Sequence, residues 1–490
     1  MGQDQKGAPQ APGGAPAGAA PGTLRHQRDI LEQELTAIKS SRAWRYVQRY
    51  GRMRALLREP GRWHHRWRAL KDEGLVVGHR LKRMVPAGER ALPRHDFPRV
   101  DEREVSLEAV DQPLSTSVSV IIPTCDAGDA FPQLLKRLRS QWGIASLEIV
   151  VIDSGSKDRT VAHARALADQ VIEIPPEDFH HGRTRMLGAE RAQGDVLVFT
   201  VQDALPAGRD WMHRLVGPIA EGDADAVSAL QIPPSGADLF ACWSVWGMRR
   251  HLGIEGNWLR AGEGDWKRQD KMALRRFIHL DSVGLAIPKA LLLEHPFEGA
   301  YAEDLRLGWR LLEGGHRLLF QTDNAVIHAH TRPPAYFFRR AYMDHRALAG
   351  VLGIPEGRRE PADVLATAGW AYRRFSAVLK QWEGWDKGGL MALTDALRVA
   401  MRAGQEARGD EGLAGIFDAF PRHAPPFSLL VLFERTLYGH LYSLAEYLGC
   451  VREREAREVR LALHKLFAAA AGGFLADLGA ELEPSILGRI

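Results

Sequence analysis

Short apolar runs alternate with helix-periodic segments between residues 117 and 201, and no other feature restricts the fold of this chain as strongly. The runs cover 117–123, 147–153, 171–174 and 196–201, and amphipathic segments separate them at 129–142, 160–169 and 183–192. Strands that alternate with helices in this way indicate a mostly parallel, doubly wound α/β sheet. Ligands of such sheets bind at the carboxyl ends of the strands. No G-x-G-x-x-G motif follows the first run, which disfavours a dinucleotide-binding unit.

The 490-residue chain extends well beyond this region on both sides. Residues 1–22 consist largely of Gly, Ala, Pro and Gln, a composition typical of a disordered tail. Residues 23–84 predict a helical extension, residues 85–115 a proline-containing linker and residues 116–335 the compact α/β domain. Residues 336–490 are helix-periodic segments interrupted by prolines, and we expect a C-terminal helical domain there.

The helical extension has two parts with different patterns. Within 23–40, Leu24, Leu31 and Ile38 are seven residues apart, a heptad seam that fits either a helix packed on its own domain or a dimerising coiled coil. Residues 42–84 carry 13 Lys and Arg against three acidic residues, interleaved with tryptophan and tyrosine. Such a segment suits the surface of an anionic membrane, and a solvated helix face or dimer contact explains it equally well. Because the net charge of the whole chain is only +4, we expect no nucleic-acid partner.

Cysteine content and hydropathy indicate the cellular compartment in which the protein is expected. The three cysteines, Cys125, Cys242 and Cys450, lie too far apart in sequence to predict a disulfide framework or a CxxC metal site. The apolar runs at 429–433 and 466–476 are shorter than the roughly 20 residues of a spanning helix. The N-terminus lacks the apolar segment of a signal peptide. We therefore expect a cytoplasmic protein without a membrane span, held peripherally at the inner face of the membrane through 42–84.

Three aspartates follow the predicted strands at the points where those strands end. Asp126 comes after the first strand, Asp153 closes the second, and Asp203 follows the fourth. A single aspartate in such a position is commonly only a helix cap. Three of them on one sheet edge would form a polar crevice that can accept the imide N–H of a uracil or thymine base, bind ribose hydroxyls, or hold a divalent cation on a diphosphate.

Basic residues are concentrated in a loop before the third predicted helix. The segment 179–185 places His181, Arg183 and Arg185 at the expected helix N-terminus. Cationic side chains at such a terminus can bind an anionic ligand such as a diphosphate. A basic surface loop is the alternative interpretation.

Two further motifs lie farther along the chain. Glu303 and Asp304 begin an amphipathic helix, a pattern that the helix macrodipole alone would explain. His328 and His330 alternate onto one face of a predicted strand. Two histidines are a weak signal for zinc, but one of them, His330, can complete a hard-metal site begun by Asp203.

In combination these motifs resemble the family-two glycosyltransferases of the GT-A fold, and within them the bacterial rhamnosyltransferase-type branch. The resemblance covers residues 116–345, and it is carried by the motifs at 122–124, 153–158, 179–185, 202–206, 303–304 and 328–330. It implies that Asp304 is the catalytic base and that Mg²⁺ or Mn²⁺ is the cofactor, held by Asp203 and His330. We expect Glu303, Trp309 and Arg310 either to contact the acceptor or to support the site. The donor-binding residues that we expect are Pro123, Thr124, Asp126, Asp153, Ser156, Asp158, His181, Arg183, Arg185, Gln202 and Asp203.

The function that the resemblance implies is inverting glycosyl transfer from a nucleotide sugar, with dTDP-L-rhamnose the favoured donor. The acceptor would be a hydroxyl of a bacterial surface glycan or of a lipid-linked oligosaccharide. Transfer from another donor, such as a UDP-hexose, is the enzymatic alternative. A non-catalytic scaffold that binds a nucleotide sugar is a third reading, although such a scaffold needs none of Asp153, Asp203 and Asp304. A nucleotidyltransferase is disfavoured because only one glycine, Gly128, follows the first strand closely.

Overall fold

The computed structural model describes residues 113–490, except 254–255, 263–265, 356, 358, 403–410, 452–453, 484–485 and 487–490. The expectations for the tail at 1–22, for the extension at 23–84 and for nearly all of the linker at 85–115 therefore lie outside the described residues. All the described residues belong to one compact unit, Arg94–Ile490.

A mixed sheet of nine strands forms the centre of the described α/β region. In order across the sheet the strands are β3-β2-β1-β4-β8-β6-β9-β5, and β7 pairs with β9. The strands β1 to β4 run parallel to one another, as predicted, whereas β8 is antiparallel to both β4 and β6. The strands are β1 Leu114–Thr124, β2 Ile144–Asp153, β3 Gln170–Glu173, β4 Val196–Thr200, β5 Leu205–Pro206, β6 Ala226–Ile232, β7 Trp258–Ala261, β8 Gly284–Pro288 and β9 Arg317–Ile327.

Helices cover both faces of this sheet because successive strand side chains point to opposite sides. On β1, Val118, Val120 and Ile122 pack with α1 and α4, whereas Ile121 packs on the other face with α3 and α8. The helices of the α/β region are α1 Phe131–Arg139, α2 Thr160–Leu167, α3 His181–Arg191, α4 Trp211–Ala220, α5 Leu239–Leu252, α6 Lys271–Phe277, α7 Lys289–Glu294 and α8 Glu303–Glu313.

The C-terminal region is helical, in agreement with the sequence pattern. Its helices are α9 Pro334–Leu352, α10 Pro361–Gln381, α11 Lys387–Arg402, α12 Glu411–Phe417, α13 Phe427–Leu448 and α14 Ala456–Asp477. They share one apolar core with α5, and an aromatic cluster of Tyr372, Phe375, Phe417 and Phe467 lies at its centre. By length and composition, α14 is one helix among the described residues that could cross a membrane, and 78% of its most apolar window is buried inside the protein.

The sheet order brings several chain segments to one edge. The carboxyl ends of β1, β2, β4, β6 and β9 lie on the same side, because β6 and β9 are parallel to each other and antiparallel β8 separates them from β4. For the same reason the residues just before β8 reach this edge, where Gly284 pairs with Thr200. Because β3 is parallel to β2 and ends beside it, this edge collects the residues that follow six strands and those that precede β8.

Candidate active site

The loops after β1 and β2 form one hydrogen-bonded unit around Asp153. Its carboxylate is buried and accepts hydrogen bonds from the hydroxyls of Thr124 (2.9 Å) and Ser156 (2.5 Å). It also accepts from the backbone N–H groups of Gly155 (3.0 Å) and Ser156 (2.8 Å). A carboxylate has about four acceptor positions. In this geometry Asp153 uses them to shape the loop, so its predicted contact to a nucleotide stays a prediction.

Asp126, in the loop after β1, and Asp158, in the loop after β2, each accept a hydrogen bond from the backbone of the other loop. Asp126 has a φ of 47°, in the left-handed region, and its Oδ1 accepts from the N–H of Lys157 at 2.7 Å. Asp158 accepts from the N–H of Gly128 at 2.9 Å. Hydrogen bonds from the side chain and backbone of Thr160 hold the pKa of Asp158 below its ordinary value. Asp126 is exposed, so it is the strand-end acid of this pair of loops that a donor can reach.

The loop after β4 carries Gln202 and Asp203, and the two side chains have different surroundings. The amide of Gln202 pairs with the backbone of Cys125, accepting from its N–H (2.7 Å) and donating to its C=O (3.1 Å). Asp203 instead lies 3.4 Å from Nε2 of His328. Burial raises the pKa of Asp203, but the imidazoles of His328 and His330 outweigh burial and bring the pKa below its ordinary value. Asp203 is therefore an ionised carboxylate at neutral pH.

Asp203, His328 and His330 form a group whose ligand atoms lie within 4.8 Å of one another. His328 is 6% exposed, and its Nε2 is a buried atom without a hydrogen-bond partner among the described residues. A carboxylate facing an unpartnered imidazole nitrogen is a donor set that suits a divalent cation, so Asp203 and His328 fit a metal ion. The sequence pattern favoured His330 for this role, and the structure adds His328.

The position of His330 is more constrained. Its ring contacts that of His328 edge to face at 4.7 Å, and its Nε2 lies 3.2 Å from Nη1 of Arg340. Burial, together with the neighbouring His328 and Arg340 side chains, lowers the pKa of His330 to about 3. Because guanidinium nitrogens only donate, Nε2 of His330 accepts from Arg340. Arg340 therefore competes with a cation for this nitrogen. Both histidines follow the end of β9 instead of lying in the strand that their alternation predicted.

Glu303 and Asp304 stand at the start of α8, after Ala302 in the left-handed conformation (φ 56°). Glu303 forms a buried ion pair with Arg185 at 2.8 Å, and both side chains are 6% exposed. Asp304 Oδ2 instead accepts from the N–H (3.2 Å) and the hydroxyl (3.3 Å) of Ser282. Burial raises the pKa of Asp304 to about 7, and the carboxylates of Glu303 and Asp281 add to the shift. Two adjacent acids whose environments differ in this way suit separate roles, with Asp304 able to take up a proton near neutral pH.

The three residues of segment 179–185 that were predicted to bind the donor are placed differently. Arg185 is buried on Glu303 and supports the start of α8, whereas Arg183 is exposed and free to meet an anionic ligand. His181 contacts the ring of Tyr301 edge to face at 5.7 Å. Burial, followed by the charge of Arg185, lowers the pKa of His181 to about 4. This segment thus presents Arg183 as an exposed cation, holds Arg185 in a buried ion pair, and keeps His181 as a neutral imidazole at neutral pH.

Two residues predicted to support the acceptor have structural partners. Trp309 packs edge to face on Trp266 at 5.1 Å, and Arg310 binds Glu298 at 2.8 Å and the C=O of Pro296 at 2.8 Å. Neither contact reaches Asp304, and their role toward an acceptor stays a prediction.

Gln231 and Asp281 are the residues that the sequence patterns missed. They connect Asp203 and His328 to the segment that binds Asp304: the Gln231 amide contacts His328 and Asp281, and Ser282 follows Asp281 in the chain. These contacts connect the surroundings of Asp203 to those of Asp304 at the carboxyl edge of the sheet.

Comparison with known proteins agrees with this geometry. Residues 119–278 match the family described as Glycosyl transferase family 2. The chain carries a family 2 glycosyltransferase domain. The O-antigen chain rhamnosyltransferase RfbN of Salmonella typhimurium is 28% identical over 232 residues, which cover 46% of this chain and 70% of that protein. The O-antigen chain rhamnosyltransferase WbaN of Salmonella anatum is 25% identical over 238 residues, with coverage of 46% and 70%.

Part of the chain is also similar to solved structures. The mannosyltransferase PcManGT from Pyrobaculum calidifontis, solved with GDP-Man and Mn²⁺, is 20% identical, has a TM-score of 0.39, and is matched over 70% of this chain and 88% of its own. Glucosyl-3-phosphoglycerate synthase from Mycobacterium tuberculosis, solved with Mn²⁺, UDP and phosphoglyceric acid, is 20% identical, has a TM-score of 0.37, and is matched over 49% and 80%. The predicted GT-A-type α/β fold with a helical C-terminal region is confirmed for the described residues, and the protein is a glycosyltransferase.

Proposed function

We propose that this glycosyltransferase moves a sugar with inversion from a nucleotide diphosphate to a hydroxyl of a bacterial surface glycan or a lipid-linked oligosaccharide. The favoured donor is dTDP-L-rhamnose, and the two O-antigen rhamnosyltransferases among the relatives support this choice. The observation that carries the proposal is the pairing of a carboxyl of raised pKa, Asp304, with the Asp203 and His328 group at one sheet edge.

In the proposed reaction, Asp304 accepts the proton of the acceptor hydroxyl, and the oxygen attacks the anomeric carbon of the donor. The bond to the nucleotide diphosphate breaks on the opposite face of the sugar, which inverts the anomeric centre. Ser282, through its N–H and hydroxyl, holds the Asp304 carboxylate in place for this transfer. Arg183, exposed at the start of α3, is available to neutralise the departing diphosphate.

Asp203 and His328 would hold the Mg²⁺ or Mn²⁺ cofactor, with His330 available when Arg340 releases it. When bound, such an ion supplies positive charge that stabilises a diphosphate leaving group. The ionised state of Asp203 and the unpartnered Nε2 of His328 support this assignment.

The donor is tested by thermal shift of the full chain with dTDP-, UDP- and GDP-linked sugars, followed by an assay of donor hydrolysis. We expect the largest shift and the fastest hydrolysis with dTDP-L-rhamnose. A clear preference for a UDP-hexose would replace the donor assignment, and the absence of turnover with every donor would favour a binding scaffold. The anomeric configuration of the first product, read by NMR, tests inversion.

We also propose that the enzyme works at the cytoplasmic face of the membrane, held there through 42–84. The basic and aromatic composition of that segment supports this location. Flotation of the full chain with anionic and neutral liposomes is the test, and equal binding to both would remove the electrostatic anchor.

A further inference from the structure

The side-chain amide of Gln231 lies between the two halves of the active site. Gln231 is near the carboxyl end of β6, and its Oε1 lies 2.8 Å from Nδ1 of His328. Its Nε2 donates to Oδ2 of Asp281 at 2.5 Å. The backbone holds the same elements together, since the N–H of His328 donates to the C=O of Ile232 at 2.8 Å. Gln231 is partly buried, so these contacts are shielded from solvent.

The contact with Asp281 determines which way the Gln231 amide faces. An ionised carboxylate only accepts hydrogen bonds, so the NH₂ group of Gln231 must face Asp281 and the carbonyl oxygen must face His328. Nδ1 of His328 therefore carries the proton. The lone pair of the neutral imidazole is then on Nε2, the buried, unpartnered nitrogen that lies 3.4 Å from Asp203. The orientation of one amide thus selects the tautomer that can bind a metal ion.

The other end of Gln231 reaches the catalytic base. Asp281 accepts from Gln231 through Oδ2 and from the N–H of Val283 through Oδ1 at 3.1 Å, which fixes the turn before β8. Ser282, inside this turn, donates both its N–H and its hydroxyl to Asp304. A displacement of Asp281 would therefore move the two donors that orient Asp304.

We propose that Gln231 is a positioning residue with two functions: its carbonyl fixes the metal-binding tautomer of His328, and its NH₂ group holds the Asp281–Ser282 turn that orients Asp304. This inference rests on the proposed metal-dependent transfer and names the residue that joins its two parts. Replacing a residue that hydrogen-bonds to a metal ligand commonly lowers metal affinity or activity by about 10- to 100-fold.

The first test is the affinity of the full chain for Mn²⁺ in the presence of dTDP, measured by electron paramagnetic resonance. Gln231→Met keeps the length of the side chain and removes both hydrogen bonds. We expect Mn²⁺ to bind about 10- to 100-fold more weakly to this variant. In the metal-free protein, ¹⁵N-histidine NMR should show that His328 has its proton on Nδ1 in the wild type and loses this preference in Gln231→Met. The His328 signal is assigned by its loss in His328→Asn.

A second variant separates the two functions. Gln231→Glu keeps an oxygen that accepts from His328, but its other oxygen repels Asp281. We expect Mn²⁺ affinity close to that of the wild type, together with a fall in the rate of donor hydrolysis because Ser282 and Asp304 lose their alignment. Equal losses of Mn²⁺ affinity in the Glu and Met variants would show that the carbonyl contact does not act on the metal site.

Gln321 on β9 provides a matched control. It is a buried glutamine whose amide donates to the C=O of Arg214 at 2.7 Å and accepts from Asn324 at 2.9 Å, and it contacts neither histidine. We expect both Gln321→Met and Gln231→Met to reduce thermal stability, but only Gln231→Met to change Mn²⁺ affinity and the His328 tautomer.

The outcomes distinguish this inference from the proposed function. Wild-type Mn²⁺ affinity and an unchanged His328 tautomer in folded Gln231→Met would overturn the inference and leave the proposed function standing. A wild-type protein that binds Mn²⁺ with dTDP but turns over no donor would overturn the proposed function alone. A wild-type protein that binds no Mn²⁺ with dTDP would overturn both.

Discussion

At the scale of single residues, the protonation of Asp304 sets the expected pH dependence. Its pKa is raised to about 7, and a general base acts only in the ionised form. We therefore expect the rate of sugar transfer or donor hydrolysis to rise as the pH passes through 7 and to level off above it. Initial rates between pH 5.5 and 9 at saturating donor measure this profile. A flat profile across neutral pH would contradict the assignment of Asp304 as the base.

Replacing Asp304 by asparagine removes the proton acceptor and keeps the shape of the side chain. We expect Asp304→Asn to bind donor nucleotide with wild-type affinity and to lose about 10²- to 10⁴-fold in turnover. Glu303→Gln is the matched comparison, because it changes the neighbouring acid, which is paired with Arg185. Near-normal turnover in Asp304→Asn would rule Asp304 out as the base.

The raised pKa of Asp304 also affects stability. An aspartate in an unfolded chain has a pKa of about 3.9. Between this value and the folded pKa of about 7, the folded protein keeps a proton that the unfolded chain has lost. The contribution of Asp304 to the free energy of unfolding therefore falls as the pH rises through this window, and the reduction is fully present above it. We expect Asp304→Asn to gain thermal stability relative to the wild type at pH 8 and to lose that advantage at pH 4.5, as measured by calorimetry.

The sequence predicted the charged residues of the site but not their connections. Asp126 and Asp203 follow apolar strands, Asp304 begins an amphipathic helix, and His330 alternates with His328, so each of these residues belongs to a pattern that is visible in the sequence. Gln231 and Asp281 carry no such signal, since a glutamine in a strand and an aspartate in a turn are ordinary. Their contact depends on β8 entering the sheet antiparallel between β4 and β6, which a one-dimensional pattern does not specify.

At the scale of elements, Gly188 determines how closely α3 approaches the sheet. A Cβ at this position would lie 2.6 Å from Ile121 and 2.7 Å from Ile152. We expect Gly188→Ala to cost about 1–3 kcal/mol of unfolding free energy, since overpacking forces the helix and the strands apart. Gly217, in α4, is the control because its Cβ would meet no atom within 4 Å. Gly217→Ala should be neutral or stabilising by about 1 kcal/mol in denaturant unfolding, and equal losses in both variants would contradict this packing argument.

Periodicity identified the elements of the first half of the sheet because β1 and β2 each contain a continuous buried, mainly apolar run and β4 is buried along its whole length. The predicted strands at 147–153 and 196–201 correspond to β2 and β4, and the predicted helix at 160–169 corresponds to α2. β9 runs from Arg317 to Ile327 and passes through the polar residues Gln321 to Asn324, which an apolar strand pattern does not predict. β6 pairs with β9 up to Gln321 and again from Ala325, with a register shift between the two stretches, whereas β7 pairs with the residues before this polar stretch and β5 with those after it. None of these pairings can be read from local composition.

At the scale of the whole molecule, a buried ion pair joins the C-terminal helices to the helix that follows β6. Lys465 of α14 is 2% exposed and binds Asp238, which also caps α5 by accepting from the N–H of Ala241. Removing one partner of such a pair leaves an uncompensated charge and costs about 3–5 kcal/mol, whereas replacing both with apolar groups is often close to neutral.

We therefore expect Asp238→Ala, which leaves Lys465 buried and unpaired, to destabilise the protein more than Lys465→Met, because Asp238 is 17% exposed and can still meet water. The double variant should recover most of the loss, apart from the cap of α5, which is worth about 1 kcal/mol. Denaturant unfolding of the four proteins forms a double-mutant cycle that measures the coupling directly. Additive losses would mean that the two charges do not act as a pair. A coupling of several kcal/mol would instead show that α14 depends on this contact for its place beside α5.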